Sequence, residues 1–127
     1  MNIPEDLLYS KDHEWIKING TEATIGITDF AQQELGDIVY VEIDKEGEEV
    51  EANDTFGSVE AVKTVSDLFM PITGTVKETN ELLESSPEKI NEDPYNEGWV
   101  IKASVSSEVD TSELLNAEAY KKLIGEA

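Results

Sequence analysis

The sequence predicts a mainly β fold, a small sandwich or barrel with short peripheral helices, occupying residues 1–127 as one domain. Two observations carry this. Many short segments alternate apolar and polar residues with the period of two that a half-buried strand requires, and turn-forming residues separate them at close spacing. At 127 residues the chain has the length of one domain with a modest core, and no low-complexity stretch or composition break divides it.

In chain order, Ile3 to Ser10 reads as an irregular lead-in, and Trp15 to Ile18 begins a strand ended by Asn19-Gly20. The alternation of Ala23, Ile25 and Ile27 that follows makes this pair a hairpin signal. Thr28 or Asp29 can cap a short helix through Leu35, with Gln32 three residues after Asp29, Gly36 as its stop, and Phe30, Ala31 and Leu35 on its buried side. Asp37 to Ile43 is a third strand, in which the parity of Val39, Val41 and Ile43 is the better core candidate. Residues 44–54 are acidic and turn-rich apart from Val50, as a solvated connection with a short strand in it would be.

Residues 56–74, FGSVEAVKTVSDLFMPITG, have a two-residue period on both sides of Lys63, which places that lysine at the tip of a β-hairpin. The placement goes against ordinary turn chemistry, because a tight hairpin favours residues that accept positive φ and Lys63-Thr64 offers neither. Either the turn is a wider type I form or something other than folding selected the lysine. Ile72 to Thr79 supplies a further strand across Gly74. Between 80 and 98 one or two short helices are expected, with Ser86-Pro87 as N-cap and first helical residue and Asp93-Pro94 as a turn. Trp99 to Ala103 returns to a strand. A tail helix over about 110–125 closes the chain, with Asp110 and Glu113 as a capping pair and Leu114, Leu115, Leu123 and Ile124 docking it.

The 29 acidic residues against 9 basic ones give a formal net charge of -20. Such a surface repels phosphate backbones and anionic membranes and favours basic patches on protein partners, so neither nucleic acid nor membrane is an expected partner. Without cysteine the chain can form no disulfide, thiolate nucleophile or cysteine metal site. No stretch is long and apolar enough to span a bilayer, and the N-terminus lacks a basic region followed by an apolar run. Cytoplasmic location is the simplest expectation; a mature mitochondrial-matrix chain would look the same.

Catalytic machinery is hard to assemble from these residues. The one histidine, His13, has no second histidine or cysteine at metal-ligand spacing, so structural anchoring beside Trp15 is favoured over a general-base role with Glu14. No glycine-rich phosphate loop is present. As a Schiff-base nucleophile Lys63 would need a lowered pKa, whereas its sequence neighbours Glu60 and Asp67 favour the ammonium. A lysine displayed on a stiff tip is better suited to be acylated by another enzyme.

With these residues in view, the chain resembles the H proteins of the glycine cleavage system, a family of lipoyl carriers. The resemblance runs through KDHEW at 11–15, GITDFAQQELGDIVYVE at 26–42, GSVEAVKTVSDLFMPITG at 57–74, NEDPYNEGW at 91–99 and the Ala117 to Tyr120 tail. The eleven-residue spacing of Lys63 and Gly74 is shared by lipoyl and biotinyl carriers; Val62-Lys63-Thr64, in place of Met-Lys-Met, favours lipoate. The resemblance implies a barrel-sandwich hybrid of two facing sheets with (R)-lipoate in amide linkage on Lys63. It implies an arm that carries the aminomethyl group of glycine from a pyridoxal-phosphate decarboxylase (P protein) to a folate-dependent aminomethyltransferase (T protein), with a dihydrolipoyl dehydrogenase (L protein) reoxidising it. The protein itself would be a non-catalytic monomer, loaded by a lipoate ligase or lipoyltransferase. Glu14 and Asp67 match the acidic positions of a cleft that shelters the loaded arm, Asp12 departs from the serine of some members, and Glu60 matches a position for ligase recognition. Gly57 and Gly74 would permit close packing or a bend at the hairpin base. An H-like protein relaying octanoyl or lipoyl groups, and an unmodified acidic interaction protein, are the alternatives.

Overall fold

A computed structural model describes residues 2–106 and 108–125. The strands are β1 (Leu8–Tyr9), β2 (Glu14–Asn19), β3 (Glu22–Ile27), β4 (Ile38–Ile43), β5 (Glu49–Val50), β6 (Thr55–Ala61), β7 (Val65–Phe69), β8 (Gly74–Thr79) and β9 (Ile101–Ser104). The helices are α1 (Asp29–Leu35), α2 (Leu82–Ser85), α3 (Lys89–Glu92) and α4 (Ala117–Leu123). All neighbouring strands run antiparallel: one sheet has the order β1-β2-β3-β9-β8-β5, the other β4-β6-β7.

The two sheets face each other across a core of Ile16, Ile25, Ile27, Phe56, Val59, Leu68, Met70, Ile72, Val76 and Ile101, all at most 3 % exposed. One stretch of chain serves both sheets. β5 and β8 pair in the larger sheet through Val50 and Gly74, whereas β6 and β7 pair in the smaller through Thr55 and Phe69. The arms of the central hairpin therefore change sheets over 51–54 and 70–73. Backbone hydrogen bonds from Asn53 N–H to Met70 O and from Met70 N–H to Asp54 O, 2.7 and 2.8 Å, hold them together through the change. Asn53 adopts φ 75°, a left-handed conformation that asparagine tolerates better than most residues.

A second cluster covers the outer side of the β1–β2–β3 end: Ile3, Leu7, Tyr9, Trp15, Ala117 and Tyr120 are buried together, with Tyr95, Trp99, Leu115 and Ile124 around them. Trp15 lies over Gly26, its cross-strand partner, so closely that a Cβ there would meet the indole Nε1 at 2.6 Å. The indole N–H donates to Pro94 O at 2.9 Å, and Tyr9 stacks on Tyr120 with 4.8 Å between centroids.

Several sequence expectations need correction. The β2–β3 turn is Gly20-Thr21, with Asn19 still paired to Glu22; only Gly20 has positive φ, 65°, as a two-residue turn with glycine at its first central position requires. In β4 a register shift between Ile38 and Tyr40 breaks the parity. Ile38 is 3 % exposed and Val39 46 %, so Val39 is surface, and the inward set becomes Ile38, Val41 and Ile43. Ser86 closes α2, its N–H donating to Leu82 O, and does not cap α3 with its side chain. The tail helix starts at Ala117, with Asn116 Oδ1 accepting from Ala119 N–H at 2.8 Å. Asp110 instead accepts from Ser112 N–H in a local turn. Ala117 and Tyr120 dock that helix, while Leu123 is 52 % exposed.

Candidate functional site

Lys63 sits at the tip of the β6–β7 hairpin, with Val62 and Thr64 beside it, all three exposed. No residue of the tip has positive φ. Ala61 N–H donates to Thr64 O at 2.8 Å, and Val62 N–H donates to Asp37 O at 3.1 Å. The tip is thus a wider turn fastened to the start of β4, which answers the conflict with tight-turn chemistry. Asn91 secures that fastening point. Its Oδ1 accepts from Ile38 N–H at 2.9 Å, and its Nδ2 donates to Gly36 O at 2.9 Å and to Gln32 Oε1 at 3.0 Å. Asn91 was not singled out from the sequence as a supporting residue, although it opens the NEDPYNEGW motif.

Helix α1 runs alongside. Thr28 is its N-cap, with Oγ1 accepting from Ala31 N–H at 3.1 Å; Gln32 donates to the Asp29 side chain and not back to the cap backbone. Gly36, at φ 80°, ends the helix. Phe30, Ala31 and Leu35 are only half-buried because a cavity lies against them. That cavity, about 230 Å³, lies between α1 and β7, with Phe30, Leu35, Val59 and Leu68 as apolar wall and Asp12, Glu34 and Asp67 as acids. A second depression, lined by Lys63, Val62, Asp37 and the C-terminal end of α1, shares Glu34 and Leu35 with the cavity, so the two are neighbours along the helix.

His13 forms the far wall of the cavity. It adopts φ 69°, a strained conformation outside glycine, and its Nδ1 lies 2.9 Å from Tyr120 Oη, which is 2.7 Å from Thr28 Oγ1. Burial lowers its pKa against the opposing pull of Asp12 and Glu34, which favours the uncharged ring. Its anchors are Tyr120 and Phe30, not Trp15.

Of the two acids named from the sequence, Asp67 lines the cavity and Glu14 reaches β7 two residues further on, at Phe69. Asp67 is exposed on β7 at the rim of the cavity. Glu14 is 1 % exposed, outside the cavity wall, with Oε1 bonded to Ser10 Oγ and Oε2 accepting from Phe69 N–H, both at 2.9 Å. Burial pushes its pKa up to about 8 against the pull of those two hydrogen bonds. Glu14 therefore holds the edge of β7 from behind. Glu60 is exposed between Tyr40 and Val65 in one cross-strand row of the smaller sheet. Gly57 and Gly74 are not partners across a hairpin base. A Cβ on Gly57 would strike Glu42 O and come within 2.8 Å of Ile43 Cδ1; one on Gly74 would come within 2.8 Å of Ser104 O in the other sheet.

No group of three or more metal-ligating side chains and no helix long and apolar enough to cross a membrane occurs among the described residues. The arrangement has a displayed amine, a depression beside it, and an adjoining apolar cavity with acidic and neutral polar edges.

Comparison with known proteins agrees with this geometry. The family model for the glycine cleavage H-protein matches residues 7–127. The glycine cleavage system H proteins of Staphylococcus haemolyticus and Staphylococcus saprophyticus are each 53% identical over 126 residues, 99% of this chain and 100% of theirs. The crystal structure of a glycine cleavage system H protein from Mycobacterium marinum superposes with a TM-score of 0.89 at 38% identity, covering 97% of this chain and 99% of that one. The chain belongs to the glycine cleavage H-protein family, the lipoyl carriers of the glycine cleavage system.

Proposed function

We propose that Lys63 is the residue that bears lipoate, in amide linkage, and that the cavity between α1 and β7 receives the far end of the arm. The observation that supports this best is an exposed tip lysine lining a depression that adjoins, through Glu34 and Leu35, a cavity of about 230 Å³ with an apolar wall. The residues fit the group: an elongated apolar chain can follow Leu35 to Phe30 and Leu68, and its attachment turns the Lys63 ammonium into a neutral amide. When bound, lipoate supplies the sulfur chemistry that a chain without cysteine lacks.

The protein's own residues then hold and shelter. Asp67 presents a carboxylate at the rim, suited to a protonated amine on the loaded arm. Glu14 acts one layer behind, fixing β7 through Phe69 N–H. Asp37 and Asn91 fix the tip, so that the amine is offered at a constant position. Glu60, three residues before Lys63, suits a basic residue on the lipoate-attaching enzyme. The decarboxylase, aminomethyltransferase and dihydrolipoyl dehydrogenase of the system are the expected partners, meeting a surface whose charge calls for basic patches on theirs.

Intact-mass and peptide mapping after incubation with lipoate, ATP and a lipoate ligase test this, with biotin and its ligase in parallel. A lipoyl adduct on the Lys63 peptide is expected, and Lys63→Arg should fold normally and lose both adduct and carrier activity. Glycine cleavage retained by Lys63→Arg would overturn the assignment.

A further inference from the structure

His13 is the one histidine of the chain, and its position is fixed at the backbone. Its N–H donates to Ser10 O and its O accepts from Thr28 N–H, both at 3.1 Å, which holds the left-handed φ of 69° in place. Such over-determined strain is common where a side chain must be aimed. The hydrogen-bond network also assigns the ring's tautomer. Thr28 is fully buried, and its Oγ1 accepts from Ala31 N–H at 3.1 Å. The hydroxyl's own proton has one acceptor among the described residues, Tyr120 Oη at 2.7 Å, and no buried polar side-chain atom among them lacks a partner. Thr28 therefore donates to Tyr120, Tyr120 donates to His13 Nδ1 at 2.9 Å, and the imidazole proton sits on Nε2. Burial pushes the Tyr120 phenol up to about 12, so it keeps the proton that this relay requires. Nε2 has no partner among the described residues and is not a buried orphan, so it is open, in a ring that walls the cavity beside Phe30.

We propose that His13 is a positioning residue for the carried group: Tyr120 and Thr28 hold it as an uncharged Nε2–H donor for a sulfur at the far end of the lipoyl arm. The proposal rests on the assignment of Lys63 as acceptor and of the cavity as the place that receives the arm. Chemistry selects the sulfur. The far end of the arm is hydrocarbon and sulfur, and a protonated amine loaded on it can only donate, so sulfur is the acceptor that an N–H meets there. An uncharged donor also suits its surroundings. Asp12, Glu34 and Asp67 line the same cavity and draw a protonated amine, which a second cation would repel. The acids face the amine and His13 the sulfur. Two points of hold orient the end of the arm where either alone would let it turn.

The test uses the full chain, isotope-labelled in its one histidine. It is lipoylated by a lipoate ligase with lipoate and ATP, then loaded with glycine by the decarboxylase, each stage verified by intact mass. Nitrogen NMR reads which ring atom bears the proton and how fast that proton exchanges with water. The expected result is Nε2–H before lipoylation, with exchange slowed tenfold or more in the loaded chain; Lys63→Arg, treated identically, shows no slowing. Tyr120→Phe keeps the ring that stacks on Tyr9 and removes the hydroxyl, so it should mix the tautomers and at least halve the slowing, with thermal melting to check its fold. Because the chain has no cysteine, the arm's thiol is the one thiol of the protein, and its alkylation by iodoacetamide gives a second reading. His13→Ala should speed alkylation of the loaded arm fivefold or more, and His13→Gln, which restores an N–H donor, should recover part of the protection. A proton on Nδ1 before lipoylation, unchanged exchange in a chain that mass shows to be loaded, or wild-type alkylation in His13→Ala overturns the proposal. Where Tyr120→Phe does not fold, the wild-type NMR readings still decide. Uptake of no lipoate at Lys63 overturns the proposal together with the assignment beneath it, and the intact mass tells the two failures apart.

Discussion

The two sheets treat their outer sides differently. At the β1–β2–β3 end of the larger sheet, Trp15 and Tyr9 point away from the main core and are still buried, under Tyr120, Ala117, Leu7 and Ile3. On the smaller sheet, Tyr40 and Val65 point outward into solvent. Both places carry large apolar side chains on antiparallel strands, so propensity does not distinguish them. What differs is the cover: the first end is closed by the chain's own lead-in and tail, and the second is left bare beside Lys63. Burial makes the first region a source of stability and leaves the second open to other proteins.

That contrast sets a graded series of tests. Trp15→Ala opens the covered end, uncovering Gly26 and orphaning Pro94 O, and should cost about 3–5 kcal/mol in denaturant unfolding. Gly57→Ala forces a Cβ toward Glu42 O and Ile43 at the inner face of the smaller sheet, and should cost about 1–3 kcal/mol in the same experiment. Equal costs for these two would mean that the covered end contributes less than its burial implies.

Glu14 sharpens the comparison through pH. Its folded pKa of about 8 lies above the ordinary 4.5, so the folded state holds the proton more tightly than the unfolded one. Its stabilising share is fully present below pH 4.5 and is lost as pH rises toward 8, with a slope of at most about 1.4 kcal/mol per pH unit. Glu14→Gln, which resembles the protonated form, should flatten this decline relative to wild type when stability is measured across that window. A parallel decline in both proteins would place the charge of Glu14 outside the balance. Smallest of all, Tyr40→Ser on the bare face should change stability by about 0.5 kcal/mol or less. A loss of 2 kcal/mol there, by thermal or denaturant unfolding, would show that the face is structural.

Much of this was legible in the chain before any coordinates. Lys63 stood out because its flanks alternate cleanly while its own turn lacks glycine or asparagine, and the structure resolves that conflict through Asp37. The stop at Gly36 followed from local chemistry, which narrowed the cap to Thr28 or Asp29, and the structure selects Thr28. Val39 was misplaced because the register shift between Ile38 and Tyr40 inverts the parity at the start of the strand while Val41 and Ile43 keep theirs. The start of α4 was misplaced because Asp110 and Asn116 are both good caps, and only the docking of Tyr120 selects between them. Asn91, His13 and Tyr120 share a different obscurity. Each acts through hydrogen bonds to residues 53 to 107 positions away, which no local pattern records. The resemblance implied a cleft near Asp67, but its apolar wall was hidden from local pattern, since those residues look like ordinary core when read along one helix.

The edge position of β7 has a further consequence, for how the protein behaves in a crowd. An open sheet edge is a template on which a second chain can add a strand, and growth from such edges leads to aggregates. The strand that follows the exposed tip at Lys63 lies close to the surface, so it is not hidden by deep burial. It is only five residues long, Glu14 occupies the donor at Phe69, Asp67 places a negative charge beside the edge, and α1 stands across the cavity from it. A short strand, a donor already taken and a charge beside the edge are the devices by which an exposed edge discourages strand addition, so the tip can stay exposed without offering a long free edge to a neighbour.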